Sequence, residues 1–113
     1  MASTSDTSLD RLKKLLSEGH IGEFNRERPK EGALDLRGLD LRHTDLRALD
    51  TSGLDLGDCH LRQADLRGLD LRQTNLEGAS IGSAMISGTY FPVELSAEEI
   101  NLSLQHGTRM RYR

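Results

Sequence analysis

The sequence is poor in the residues that usually build a globular core or a nucleic-acid-binding surface. It contains no tryptophan, and aromatic residues make up only 4% of its 113 residues. Because aromatic side chains bury the largest apolar areas, the interior has to be built from smaller residues, chiefly leucine. The formal net charge is −3, so the basic surface that phosphate-driven binding requires is missing. We therefore expect no direct nucleic-acid partner.

The chain also lacks the marks of disulfide-bonded, exported and membrane proteins. Cys59 is the single cysteine, which excludes an intramolecular disulfide. Residues 1–8 are polar and do not resemble the apolar segment of a signal peptide. No apolar run approaches the length of a transmembrane helix. We expect a cytoplasmic location and no membrane partner.

A period of five residues dominates the middle of the chain. From Leu34 to residue 93 the sequence divides into twelve consecutive units, the first three being LDLRG, LDLRH and TDLRA. The third position is apolar in eleven of the twelve units, with Thr51 as the exception. The second position is mostly Asp, the fourth is often Arg, and the fifth is often Gly or polar. A repeat at fixed spacing is typical of a solenoid.

A period of five fits neither an α-helix nor a straight strand. On a helix the apolar stripe would drift by about 140° per unit, and on a strand it would change face at every unit. A chain that turns a corner at each unit satisfies the pattern, with positions one and three inward and positions two and four outward. Glycine suits the corner because it tolerates positive φ, and five glycines stand there: Gly38, Gly53, Gly68, Gly78 and Gly88.

The sequence leaves the number of units in each coil open. A 20-residue coil stacks Leu34 on Leu54 and Leu49 on Leu69. A 15-residue coil places small residues in one column, namely Thr44, Cys59, Thr74 and Thr89. Both arrangements keep the third-position residues inside, so periodicity alone does not choose between them.

The run resembles the pentapeptide-repeat family, whose consensus A-(D/N)-L-x-x is matched best by ADLRG at residues 64–68. The resemblance implies an all-β solenoid, a right-handed quadrilateral β-helix with 20 residues per coil. Residues 34–93 would then form about three coils. The family favours Ala at the first position, so we expect a crowded interior or wider first coils where this chain has Leu34, Leu39, Leu49, Leu54 and Leu69.

Both ends of the repeat run are predicted to carry short capping α-helices, because the open edges of stacked coils invite pairing with other chains. We therefore divide the chain into an N-terminal helical cap (1–33), the β-helix (34–93), and a C-terminal capping helix and tail (94–113).

The sequence also predicts where the capping helices begin and end. A capping-box pattern at residues 7–10 predicts the first helix, which Gly19 ends. A second capping box at Ser96 predicts the last helix, which Gly107 ends. The basic residues TRMRYR at 108–113 are expected to form a frayed tail.

No constellation of side chains indicates catalysis, a cofactor or a metal. The four histidines, His20, His43, His60 and His106, lack ligand spacing to one another and to Cys59. Cys59 stands at a first position, where we expect an inward, inert thiol. The glycines follow the corner spacing rather than a phosphate-binding pattern, and no nucleophile elbow is present. The left-handed β-helix acyltransferases use six-residue repeats, which this chain does not have. We expect no enzymatic activity.

Five units carry both Asp at the second position and Arg at the fourth. These pairs are Asp35/Arg37, Asp40/Arg42, Asp45/Arg47, Asp65/Arg67 and Asp70/Arg72. Alternating charges of this kind usually form a solvated surface, so we interpret them as a lattice of salt bridges rather than as paired catalytic carboxylates.

These features favour a non-catalytic protein–protein interaction or scaffold module with an unidentified protein partner. Because several members of the family dimerise end to end, the resemblance implies a homodimer through the C-terminal end. The candidate interface residues are Phe91, Ile100, Leu104, Met110 and Tyr112. A second candidate binding face consists of two stacked arginine pairs, Arg42 with Arg62 and Arg47 with Arg67.

The resemblance also implies an alternative, a DNA mimic that modulates DNA gyrase or another topoisomerase. A DNA mimic needs regularly spaced negative charges, and stacked aspartates would supply them in three columns: Asp35/Asp55, Asp45/Asp65 and Asp50/Asp70. Three coils would be roughly 14 Å tall and would span only about four base pairs. The interleaved arginines also weaken the negative field, so we rank this function second.

Overall fold

The computed structural model describes the backbone of residues 4–113 and the side chains of residues 8–113. Residues 4–113 form three helices and two very short strands: α1 (Thr4–Ser17), α2 (Ile21–Glu27), β1 (Leu34–Asp35), β2 (Leu54–Asp55) and α3 (Ala97–His106). Within residues 4–113, none of the helices is both long and apolar enough to cross a membrane. The prediction about a signal peptide falls partly on residues 1–3, which lie outside the described residues.

The two N-terminal helices bury apolar residues against the first repeat units. Leu12, Leu15 and Leu16 of α1 are buried, as are Ile21 and Phe24 of α2, because an apolar residue every three or four positions gives a helix one apolar stripe.

The predicted end of α1 is confirmed and its predicted start is wrong. Gly19, two residues after the helix, adopts a φ of +83°, a conformation that glycine reaches without a steric penalty. α1 begins at Thr4, three residues before the capping-box pattern at residues 7–10, so residues 4–6 already belong to the helix. The Thr7 side chain lies outside the described side chains.

Two side chains of the N-terminal segment satisfy backbone groups of the first repeat units. Asn25 donates to the Ala48 carbonyl at 2.8 Å and accepts from the Asp50 N–H at 2.9 Å. The Arg28 guanidinium, which is buried, donates to the Asp50 carbonyl at 2.9 Å. These three backbone groups are therefore paired with the N-terminal segment instead of being left for another chain.

The repeat units stack in parallel with a spacing of 20 residues. β1 pairs with β2 so that Leu34 lies opposite Leu54, and isolated bridges continue the same register: Asp40–His60, Asp45–Asp65, Asp55–Asn75, His60–Ser80, Asp65–Met85 and Asp70–Tyr90. The predicted 20-residue pairing is confirmed, and the 15-residue alternative is wrong. The straight segments are short because the chain turns after each unit.

The fifth position is the corner of each unit. The five corner glycines all have positive φ, and so do four other fifth-position residues: His43, Asp58, Gln63 and Ser83. A non-glycine residue in this region is strained, so the stacking of the units imposes the conformation even where the sequence does not favour it.

Third-position residues form the interior of the stack. Leu36, Leu41 and Leu46 are fully buried, and the units above them continue the column. Thr51, the polar exception, donates from its hydroxyl to the Asp70 carbonyl at 3.1 Å. The Thr51 hydroxyl thereby donates to the carbonyl that would otherwise accept from the third-position backbone N–H, as the Asp55 carbonyl accepts from the Leu36 N–H. Cys59 is buried, as predicted for a first position.

The C-terminal helix begins and ends where the sequence predicts. The Ser96 side chain accepts from the Glu99 N–H at 3.1 Å, and Gly107 caps α3 with a φ of 70°. The prediction of a frayed tail is wrong. The Met110 carbonyl accepts from the Gly78 N–H at 2.7 Å, and the Met110 N–H donates to the Ala79 carbonyl at 2.8 Å. The tail is thus bonded to the last repeat units.

Candidate functional site

The outward-facing Asp and Arg side chains form the same two-bond pair, here called an Asp–Arg fork, in five units. In one of them, Arg42 Nε donates to Asp40 Oδ1 and Arg42 Nη2 donates to Asp40 Oδ2, both at 2.8 Å. The other forks are Asp35/Arg37, Asp45/Arg47, Asp65/Arg67 and Asp70/Arg72. Each fork keeps a carboxylate and a guanidinium together, so the surface lattice is close to neutral.

The forks explain the acidity of their aspartates. Hydrogen bonds from the arginine side chain, and then from the arginine backbone N–H, lower the pKa of Asp35, Asp40, Asp45 and Asp70 to about 2. Hydrogen bonding to the charged form of an acid favours that form. These carboxylates therefore stay ionised and paired at neutral pH, which does not suit them to take up or deliver a proton.

The acidic excess of the repeat run lies on one column of units, here called the acidic column (residues 34–38, 54–58 and 74–78). It carries one arginine, Arg37, against four carboxylates: Asp35, Asp55, Asp58 and Glu77. The other units together carry equal numbers of acids and bases. The net charge of −3 over residues 34–93 therefore belongs to this column alone.

The basic tail lies along the acidic column. Arg109 Nη1 approaches Asp58 Oδ1 at 3.5 Å, and the Tyr112 N–H donates to Glu77 Oε2 at 3.1 Å. The Tyr112 hydroxyl accepts from the Leu76 N–H at 2.9 Å, and burial raises the pKa of this tyrosine. The chain thus neutralises part of its own negative surface.

The predicted arginine face contains two different environments. Arg42, Arg47 and Arg67 are held in forks, whereas Arg62 follows His60 rather than an aspartate and forms no salt bridge within residues 8–113. Its Nη1 lies 4.0 Å from the point that a Cβ on Gly107 would occupy, next to the negative end of the α3 dipole. The 20-residue register aligns Arg42 with Arg62 and Arg47 with Arg67, as the prediction required.

The predicted C-terminal interface is only partly accessible. Phe91, Ile100, Leu104 and Tyr112 are partly buried against the core. Met110 is 0% exposed, so the prediction that its side chain contacts a partner is wrong. The tail folds back on the last units, and Met110 thereby becomes a core residue.

Four large apolar residues near the C-terminal end are more exposed than the predicted ones. They are Met85, Tyr90, Val93 and Leu102, with exposures of 44%, 59%, 76% and 41%. Met85 and Tyr90 stand at second positions, which carry Asp65 and Asp70 in the units that pair with them. The replacement of Asp by an apolar residue at a second position is the sequence feature that could have indicated Met85 and Tyr90 as exposed apolar residues. Arg72 lies over the Tyr90 ring, 5.0 Å from its centre.

The described residues hold no arrangement suited to nucleophilic or metal chemistry. Cys59 Sγ donates to the Leu36 carbonyl at 3.2 Å, and burial raises the pKa of the thiol to about 11. Within residues 8–113, no three side chains of His, Cys, Asp or Glu are grouped to hold a metal ion. A depression of about 550 Å³ beside Gly19 and Ile21 is open to solvent, and the charged groups that line it are Asp45 and Arg47, already paired in a fork.

Comparison with known proteins identifies the repeat. The model of the pentapeptide-repeat family matches residues 55–91 with 8 copies. No curated protein and no solved structure gives a significant match to the chain.

Proposed function

Because the chain belongs to the pentapeptide-repeat family through residues 55–91, we propose that it is a non-catalytic module that binds another protein. Repeats of this family generally form a β-helix. The parallel pairing at 20 residues supports a right-handed, four-sided β-helix of about three coils over residues 34–93. Residues 1–33 and 94–113 would serve as its caps.

The observation that carries this function is the position of the exposed apolar side chains. Met85, Tyr90, Val93 and Leu102 all lie in the last units or in α3, whereas the outward positions of the earlier units carry Asp–Arg forks. Exposed apolar residues gathered in one region, bordered by a charged surface, are typical of protein interaction sites. The shallow depressions with paired charges do not support catalysis.

A second copy of the chain is the first partner that we propose. Two C-terminal ends facing each other would bury Val93 and Leu102 together with the accessible parts of Phe91, Ile100 and Leu104. Isologous contacts of this kind are the commonest in homo-oligomers. The unidentified protein partner would then bind a surface that the dimer leaves free.

Sedimentation and light scattering over a range of concentrations test the dimer. A variant with Val93→Asp and Leu102→Asp should have the monomer mass where the wild type has the dimer mass. A control with Ser52→Asp, at an exposed site away from the C-terminal end, should keep the wild-type mass. A wild type that stays monomeric at millimolar concentration rules the dimer out.

The arginine face is a second surface that we propose for the other protein. Replacing Arg42, Arg62, Arg47 and Arg67 by Ser should abolish capture of a partner that binds there, without changing the mass of the chain in isolation. If capture depends instead on Val93 and Leu102, the partner binds the C-terminal end.

DNA mimicry receives less support from the charges. The excess acid is confined to the acidic column, and Arg109 and Tyr112 of the tail already lie on it. A supercoiling assay with purified gyrase is the direct test. Inhibition or protection by the wild type, lost when Asp35 and Asp55 are replaced by Asn, would favour mimicry over the binding module.

A further inference from the structure

The last repeat units end in a sheet edge of which only part is covered. In the preceding units, the Leu66 and Leu71 N–H groups donate to the carbonyls of Met85 and Tyr90, nineteen residues further along. Residues 76–83 have no such unit above them. Their N–H groups donate instead to the tail and to α3: Leu76 to the Tyr112 hydroxyl, Gly78 to the Met110 carbonyl, Ile81 to Ser103 Oγ and Ser83 to the Leu104 carbonyl.

The remaining part, here called the open edge (residues 84–91), has no such cover. Among residues 8–113, no group accepts from the N–H of Ile86, Gly88 or Phe91, and none donates to the carbonyls of Ala84 and Thr89. The open edge therefore presents backbone donors and acceptors in the order that a parallel ladder uses. Unpaired edges of this kind are templates for a further strand.

The interior residues of the open edge are also incompletely covered. Ile86 and Phe91 are partly exposed, while their counterparts in the paired units below, Leu66 and Leu71, are 1% and 0% exposed. A segment that completed the ladder would cover this apolar surface as well as the free N–H groups.

The tail of the chain shows how such a segment binds. Met110 accepts from Gly78 and donates to Ala79 through its backbone, and its side chain is fully buried over the interior. Met110 thus combines two ladder bonds with an apolar side chain that is buried over the interior. It lies on the same edge as residues 84–91, at Gly78 and Ala79.

We propose that the open edge binds an extended segment of a partner protein, which adds to the sheet as a strand. Carbonyls of the segment accept from Ile86, Gly88 and Phe91, and its N–H groups donate to Ala84 and Thr89. An apolar side chain of the segment covers Ile86 and Phe91. In binding of this kind, main-chain hydrogen bonds provide the affinity and alternate side chains provide the specificity. The proposal rests on the proposed protein-binding function and not on the homodimer.

The covered part of the edge favours a single segment over a second stack of units. α3 lies directly on residues 81–83, and a helix is about 10 Å across where a strand needs about 4.8 Å. α3 therefore projects beyond the open edge and prevents the edge of a second copy from pairing with it strand to strand, whereas one extended segment fits beside the helix. Met85 and Tyr90 in place of aspartates make the outer rim of this edge apolar, so an apolar segment suits it.

Amide NMR of the full-length protein tests the proposal, with the peptide acetyl-TSMSYS-amide as the probe. This peptide is the tail sequence with its arginines replaced, so it keeps the methionine anchor without attraction to the acidic column. At a concentration where the protein is monomeric, the N–H groups of Ile86, Gly88 and Phe91 should shift. Their exchange should slow by about tenfold or more, while Leu66, Gly68 and Leu71 stay unchanged. The same peptide with its donating amides N-methylated should not bind.

Variants separate this inference from the proposed function. Met85→Asp with Tyr90→Asp, which restores the aspartates of the units below, should weaken peptide binding by about tenfold or more. Leu102→Asp should leave peptide binding unchanged. The proposal is overturned if the N–H groups of Ile86 and Phe91 already exchange slowly in the free monomer, or if the peptide shifts the N–H groups of Leu76 and Gly78 instead. It is also overturned if slow exchange appears only when the protein has the mass of a dimer. Capture of a partner through Leu102 without any peptide effect would overturn it and keep the binding function.

Discussion

Arg67 and Asp65 form a fork with bonds of 2.9 and 2.7 Å, in which the carboxylate is enclosed and the guanidinium is exposed. The Asp65 side chain is 6% exposed, whereas Asp40, in the same fork with Arg42, is 56% exposed. Arg47 adds a second contact to Asp65 at 3.2 Å. Two pairs of the same residue types and the same bonding thus differ strongly in burial and in the number of arginines, which makes them useful to compare.

Asp65→Asn should destabilise the protein more than Asp40→Asn. The first substitution takes the carboxylate from Arg67 and removes the second contact of Arg47 at an enclosed site, while the second breaks one exposed pair. We expect the melting temperature to fall by about 5 °C or more for Asp65→Asn and by less than about 2 °C for Asp40→Asn. Thermal denaturation followed by circular dichroism measures both, and equal effects would contradict the role of burial.

Gln63→Gly should stabilise the protein. Gln63 is held at a φ of 58°, where a side chain costs about 1–2 kcal/mol, so removing the side chain should raise the free energy of unfolding by about 0.5–1 kcal/mol after the entropy loss of glycine. Gln73 stands at the same position of another unit without positive φ. Gln73→Gly should therefore lower the free energy of unfolding by about 0.5–1 kcal/mol. Urea denaturation of both variants is the measurement, and the same sign for the two would refute the argument.

Ser103→Ala should loosen the junction between α3 and the repeat units. Ser103 is fully buried, and its hydroxyl accepts from the Ile81 N–H at 2.9 Å and donates to the Thr108 carbonyl at 2.6 Å. Without it, buried polar groups lose their partner, which costs about 1–3 kcal/mol. Ser87→Ala, at an exposed serine, is the control and should change little. Faster amide exchange at Ile81 and Ser83 in the Ser103 variant would locate the effect, and unchanged stability would count against it.

Acid should destabilise the folded state in a narrow range. The folded-state pKa of Asp35, Asp40, Asp45 and Asp70 is about 2, below the ordinary value of 3.8. The unfolded state therefore binds protons first, so the contribution of the forks is complete above about pH 4 and is lost as the pH falls from 4 to 2. Melting temperatures between pH 7 and 2 should stay level and then drop in that range. High salt should reduce the drop, since these pairs are exposed.

The protonation of these aspartates can be followed directly by NMR of their side-chain carboxyl carbons. Their NMR shifts should place the midpoints of Asp35 and Asp40 near pH 2 in the wild type. Arg42→Gln should return Asp40 towards 3.8 and leave Asp35 unchanged. A midpoint of Asp40 that does not respond to the loss of Arg42 would show that the fork does not form in solution.

The repeat itself could be predicted because each of its requirements is local. Inward third positions follow from the period of five, and the corner at position five follows from glycine, which reaches positive φ at no steric cost. Ser96 and Gly107 marked the ends of α3 for the same reason, since a capping side chain and a left-handed glycine act on adjacent backbone groups.

The interface was harder to predict because it depends on residues far apart in the chain. Met110 looked like an exposed apolar residue in a basic tail, and only its bonds to Gly78 and Ala79 make it a core residue. Conversely, Met85 and Tyr90 are conspicuous only once Asp65 and Asp70 are known to lie beside them.

The sequence by itself determined the unit, its inward and outward positions and its corners, since these depend on side-chain periodicity and on the φ that glycine permits. Periodicity left open whether Leu34 pairs with Leu54 or with a residue fifteen positions away, because both spacings bury equivalent side chains. The family resemblance implied the first, and the backbone ladder of the tertiary structure shows it. The tertiary structure alone decided that Arg28, Met110 and Asp65 are buried, and that the outer edge of residues 84–91 has no ladder partner among residues 8–113. Burial and edge pairing depend on which distant segments meet, and no period in the sequence encodes that meeting.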